Sequence, residues 1–251
     1  MLTDLTDVVL LACAGFVAGA INAVAGGGPL ITLPVLIFAG LDARVANLTS
    51  TVALFPGQIA TAYAARDELR PTGGIGTGLL IGIGIAGGAV GGLLLLTTPS
   101  SVFAGLVPWL VLVATAIYAW SNFSLRPVRA RRALGPIGFG AALLASSIYG
   151  GYFGGGNSFI VLALLATAGL GARAAGRLKN LLIALINLAA AGVFLASAAV
   201  VYEKAIPLGL GAIVGGMAGV SVLHRLNEAV LKIVVVTIGA ALSIWLFVSA
   251  A

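Results

Sequence analysis

The chain has 251 residues, 61% of them hydrophobic and only 8% charged, with a net charge of +6. An average soluble domain carries about 25% charged residues, so a soluble core is excluded and a polytopic membrane protein is expected. The basic excess does not point to nucleic acid, because the cations lie between apolar segments and are not interleaved with aromatics on a polar surface.

Ten apolar stretches follow in chain order: Leu5–Ala25, Pro29–Gly40, Val45–Ala65, Thr72–Leu96, Val102–Asn122, Leu134–Phe153, Ser158–Leu170, Ala174–Val201, Ile206–Leu223 and Ala229–Val248. The first is not expected to be a cleaved signal peptide, since its leading charges are Asp4 and Asp7 and no basic region precedes it. Crossing the ~30 Å hydrocarbon layer takes about 20 helical residues. At 1.5 Å per residue, the second and seventh stretches cover only ~18–20 Å. Half-helices or arms of re-entrant hairpins are expected there.

Both short stretches follow a glycine triplet, Gly26, Gly27 and Gly28 in one case and Gly154, Gly155 and Gly156 in the other. Further matches are LDARVA at 41–46 with LGARAA at 170–175, GGAVGG at 87–92 with GGMAGV at 215–220, and Pro71 with Pro207. The fold class expected is an all-α polytopic membrane protein made of two repeats. Residues 1–122 form the first repeat, 123–133 a basic linker and 134–251 the second. Five elements per repeat is an odd number, so the second copy enters the membrane upside down, giving an inverted-topology repeat. Placing the linker in the cytoplasm leaves both termini external. Of the thirteen Lys and Arg residues, all but Arg44 and Lys204 then fall on the inner side.

Gly82, Gly84 and Gly87 spell GxGxxG, but inside a continuous apolar segment with no preceding strand. A small-residue ladder fits better: Gly84, Gly88 and Gly92, with Gly211, Gly215 and Gly219 in the second half, lets helix backbones approach closely.

The triplets can be read as flexible turns. They can also be read as starts of half-helices whose free N–H groups and partial positive charge converge on an anion. Pro29 suits a first helical position, and Asn157 and Ser158 suit the cap at the matching place. Gly27, Gly28, Gly155, Gly156, Asn157 and Ser158 are therefore candidate substrate contacts.

The eighth stretch carries Arg173, Arg177, Asn180 and Asn187 along one helical face. The matching face of the third carries Arg44, Thr51 and Gln58, with Asn47 nearby. Arg173 is expected to anchor at the headgroups. Lys179 lies deeper, with Ser50 as its counterpart, and Lys179 with Asn180 is the leading pair for substrate contact. Asn47, Ser50, Thr51, Gln58, Arg177 and Asn187 complete the candidate set.

All seven acids lie near element ends, so no Asp/Glu proton relay is visible, and His224 beside Arg225 is expected at the interface. A path lined by Arg, Lys, Asn, Ser and N–H groups favours anions. Cys13 is the single cysteine, leaving no disulfide or metal framework, and no cofactor is expected. No GxxxxGK[ST], HExxH, Ser–His pair or acidic metal cluster is present, so neither a primary pump nor an enzyme is expected.

The stretches AGGGPLITLPVLIFAGLDARVANLTS, YGGYFGGGNSFIVLALLATAGLGARAAGRLKN and GGAVGGLLL resemble the TauE/SafE family of sulfite and organosulfonate exporters over nearly the whole chain. The resemblance implies a bacterial inner-membrane carrier, a probable exporter by family, of sulfite or C2–C3 sulfonates. The expected partners are a small anionic substrate and the lipid bilayer, with no nucleic acid. The alternative reading is a passive anion channel, or a carrier of a non-sulfur anion.

Overall fold

A computed structural model describes residues 5–24, 27–64, 66–123, 134–222 and 228–250. Gly26 and most of the basic linker fall outside these residues, as does His224. The described residues form ten α-helices: α1 (Leu5–Val24), α2 (Pro29–Phe38), α3 (Ala43–Ala64), α4 (Thr77–Thr97), α5 (Ser100–Phe123), α6 (Pro136–Tyr152), α7 (Asn157–Thr167), α8 (Ala172–Ala196), α9 (Tyr202–Val222) and α10 (Glu228–Ala250). A 3-10 turn, Arg66–Glu68, follows α3. No β-strand occurs among the described residues, only a bridge between Thr72 and Ile75.

Segments within α1, α4, α5 and α8 are long and apolar enough to cross a bilayer. With α2 at 10 residues and α7 at 11, each reaches only about half-way. Both short helices stop in the same way. Gly40 (φ +87°) and Gly169 (φ +82°) take the left-handed conformation just past the end. The N–H of Leu41 then donates to Leu36 O, and that of Leu170 to Leu165 O. This is the Schellman stop, which uses glycine because a Cβ disfavours positive φ. It satisfies carbonyls that would be costly to leave bare in lipid.

Most of the packing is preserved when the halves are exchanged, although α3 also meets α5 with no comparable α8–α10 contact among the described residues. Just as α1 packs on α2, α3 and α9, α6 packs on α7, α8 and α4. Likewise α3 meets α9 as α8 meets α4, and α10 meets α2 as α5 meets α7. Two contacts, α3 with α8 and α5 with α10, join counterparts directly.

Glycine makes the closest of these approaches possible. A Cβ on Gly19 of α1 would overlap the Ala212 carbonyl of α9, and one on Gly151 of α6 would overlap Gly88 of α4. Without a hydrophobic drive between helices in lipid, such backbone proximity supplies the packing energy. The ladder of α4, Gly84, Gly88 and Gly92, faces α8, whereas Gly211 and Gly215 of α9 face α1. The two glycine runs are therefore not equivalent. The counterpart of Gly215 is Gly87, which faces Ser147 of α6.

Large apolar side chains such as Leu79, Leu93, Trp109, Trp120 and Met217 are exposed on the outside of the bundle. For a membrane protein that is the lipid face.

Candidate functional site

Helices α1, α3, α7, α8 and α9 line a small, partly open cavity of about 20 Å³, room for about one water molecule. Its polar lining comes from Asn22, Gln58, Ser158 and Asn180, and its apolar and small lining from Gly19, Leu54, Gly57, Ile183 and Ala212. Both halves contribute. The floor is a meeting of counterparts, because Asn187 Nδ2 of α8 donates to Gln58 Oε1 of α3 at 2.8 Å. These two residues occupy matching positions in the repeats, so the bond marks where the halves cross.

Of the expected site residues, Gln58, Ser158 and Asn180 line the cavity, and Asn187 orients Gln58. Gly28 backs it: a Cβ there would sit 3.2 Å from the Asn22 side chain. Sequence reasoning missed Asn22, although a lone carboxamide near the end of an apolar helix was a legible signal. Gly57 was missed as well, because a single glycine in an apolar helix looks no different from the packing glycines.

Several expected contacts hold structure elsewhere. The buried Asn47 donates from Nδ2 to the Tyr152 carbonyl at 3.0 Å, closing the C-terminal end of α6. Thr51 Oγ1 bonds the Asn47 carbonyl in its own helix. Ser50 pairs with Thr32 at 2.5 Å, joining α3 to α2. Arg177 is half-buried near the start of α8 and does not line the cavity. Lys179 is also buried, 6% exposed, but it lies about 100° around the helix from Asn180 and does not line the cavity.

The helix starts differ from expectation. Pro29 does open α2, but Gly156 (φ +73°) is the cap of α7 and makes no side-chain cap bond. Asn157 is instead the first helical residue, and its Oδ1 accepts from Ser146 of α6 at 2.7 Å. Nor are the N–H groups of the first turns all free. Leu30 donates to Gly27, Ile31 to Gly28, Asn157 to Gly154 and Phe159 to Gly156. Tight 3-10-type bonds satisfy these helix ends in part, and Ser158 is the α7 residue of that turn that lines the cavity. Gly155 is buried, and its carbonyl accepts from the Tyr149 hydroxyl at 2.6 Å.

Arg44 and Lys204, the two cations that escape the charge asymmetry, share one task. Arg44 Nη1 donates to the carbonyls of Leu96 (3.0 Å) and Thr98 (3.2 Å) at the end of α4. Lys204 Nζ donates to the Ala39 carbonyl at the end of α2. Cations suit helix C-termini, where unpaired carbonyls and the helix dipole concentrate negative charge.

The family described as Sulfite exporter TauE/SafE matches residues 11–246. The chain belongs to the TauE/SafE family. Curated relatives include "Probable membrane transporter protein ORF9" of Sinorhizobium sp, 30% identical over 235 residues, covering 92% of this chain and 88% of that one. A second, "Probable membrane transporter protein" of Haemophilus influenzae, is 28% identical over 232 residues, covering 90% of this chain and 89% of its own. No solved structure matches the chain. As a TauE/SafE member it is a multi-pass membrane transporter of a small-molecule substrate.

Proposed function

We propose that this transporter is a secondary exporter that carries sulfite or a C2–C3 sulfonate across the inner membrane, binding the anion in the cavity between its halves. The observation that carries the reading is the cavity's lining of three carboxamides and a hydroxyl in an interior without carboxylates. Among the described residues Asp7, Asp42, Asp67, Glu68, Glu203 and Glu228 all lie at or near element ends. Amide N–H and hydroxyl donors can ring an oxyanion without repelling it. The buried ammonium of Lys179, one residue from Asn180, adds positive potential to the region.

The orientation we favour has both termini external and the basic linker inside, with the two repeats inverted. The preserved packing on exchange and the distribution of Lys and Arg support it. In a variant with Cys13 replaced, cysteines at Ser124 and Ser249 should label from opposite sides, and labelling from one side would overturn the inversion.

Cargo is tested by thermal unfolding of the purified protein with sulfite, sulfoacetate and other small anions. A ligand at 100 times its Kd should stabilise the folded state by about 2.7 kcal/mol. Liposome flux of the best ligand should saturate and exchange. Ohmic conductance far above carrier turnover would make the protein a channel, and stabilisation by non-sulfur anions alone would reassign the cargo.

A further inference from the structure

The cavity lies on one side of the repeat relation, and the reason can be read residue by residue. The LDARVA/LGARAA match pairs Gly57 of α3 with Ile186 of α8, and the triplets pair Asn22 of α1 with Gly150 of α6. On the α1/α9 side, Gly57 and Asn22 line open space. On the α4/α6 side the same places are filled. Ile186 is fully buried, its Cγ2 3.0 Å from where a Cβ on Gly150 would lie, and its Cγ1 3.8 Å from the matching point on Gly84. The Asn157 carboxamide occupies the space that a side chain on Gly150 would need. Its Nδ2 is buried with no hydrogen-bond partner. Each side thus holds a carboxamide at the corresponding place, Asn22 in one and Asn157 in the other. The difference is the side chain beside it, hydrogen at 57 and sec-butyl at 186.

We propose that Gly57 is the size-determining residue of the substrate site: it leaves open, on the α1/α9 side, the volume that Ile186 fills on the other, and so sets the largest anion the transporter accepts. The proposal deepens the reading of the cavity as the anion site and rests on it. A Cβ on Gly57 would lie 3.3 Å from the Ala212 carbonyl, so alanine is accommodated by a shift of a few tenths of an ångström while it intrudes on the cavity. One turn before it on α3, Leu54 forms the apolar lining together with Ile183 of α8, and these two are counterparts of each other across the sequence match.

The test is a size series of sulfite, methanesulfonate, ethanesulfonate and propanesulfonate, with Kd measured by calorimetry on wild type, Gly57→Ala and Leu54→Ala. One methylene in a confined apolar pocket changes affinity roughly 10- to 200-fold. In Gly57→Ala, sulfite affinity should stay within about threefold of wild type while the longest sulfonate that wild type accepts loses at least tenfold. Leu54→Ala should shift the cut-off to a longer chain. A Gly57→Ala protein that folds normally and keeps the wild-type size order overturns the proposal. If Gly57→Ala does not fold, an unchanged cut-off in Leu54→Ala overturns it equally. A wild type that binds no sulfur anion defeats the cargo reading alone, and the same variants are then tested with formate, acetate, propionate and butyrate.

Discussion

Between α1 and α2 the chain passes through Gly28 in a right-handed conformation (φ −51°, ψ −47°), and α2 is then tied to α3 by the Thr32–Ser50 hydroxyl pair. Between α6 and α7 it passes through Gly154 and Gly156, both at positive φ. There the turn is held by Tyr149 on the Gly155 carbonyl and by Ser146 on Asn157. Among the described residues, the chain beside each glycine triplet is thus held by different contacts. At Gly28 glycine allows close approach to Asn22 and the Ala18 carbonyl, and at Gly154 and Gly156 it allows a positive φ. Repeats keep the packing of helices, which depends on small residues and register. They are free to diverge in polar detail, which is where a ligand is recognised.

The largest expected effect separates the two breaks. Gly156→Ala places a Cβ at φ +73° and 3.1 Å from Ala114 Cα, so it should destabilise the fold by the ~1–2 kcal/mol of a left-handed residue, before any clash. Gly28→Ala should leave the unfolding midpoint closer to wild type and weaken anion binding instead, through Asn22. Thermal unfolding and calorimetry on the pair would show it, and equal loss of stability in both would erase the distinction.

Ser50 and Lys179 are counterparts with different fates, the first hydrogen-bonded and the second buried without a hydrogen bond or ion pair among the described residues. If the ammonium supplies potential to the neighbouring cavity, Lys179→Ala should reduce anion affinity about tenfold, the equivalent of ~1.4 kcal/mol, with Lys179→Arg retaining most of it. Arg173→Ala, at an exposed position, should change affinity little. Wild-type affinity in a folded Lys179→Ala protein would make Lys179 a packing residue.

The smallest effect belongs to the pair that joins the halves. Asn187→Leu removes the donor to Gln58, and interhelical hydrogen bonds in membranes average only ~0.6 kcal/mol. Stability should drop by about that amount, while the loss of the Asn187 donor to Gln58 at the cavity changes anion affinity several-fold. A loss of several kcal/mol would mean that the α3–α8 crossing depends on this bond far more than its type allows.

Composition, length and glycine spacing determined much by themselves: a bundle of apolar helices, two of them too short to cross, with Pro29 at a helix start. These follow from local rules, since a run of apolar residues in lipid must close its own hydrogen bonds as helix, and glycine or proline at its ends leaves few alternatives. Deep polar positions such as Gln58, Asn180 and Asn187 were legible for a related reason, as carboxamides in an apolar helix need partners. Which of them would face a cavity was not legible. Asn47 and Ser50 lie on the same helix as Gln58, and only the contacts of α3 with α2 and the end of α6 absorb their polar groups. The cavity itself was decided wholly by tertiary packing, because it exists where Gly57 of one helix meets Ala212 of another, and an absent side chain leaves no trace in its own sequence neighbourhood.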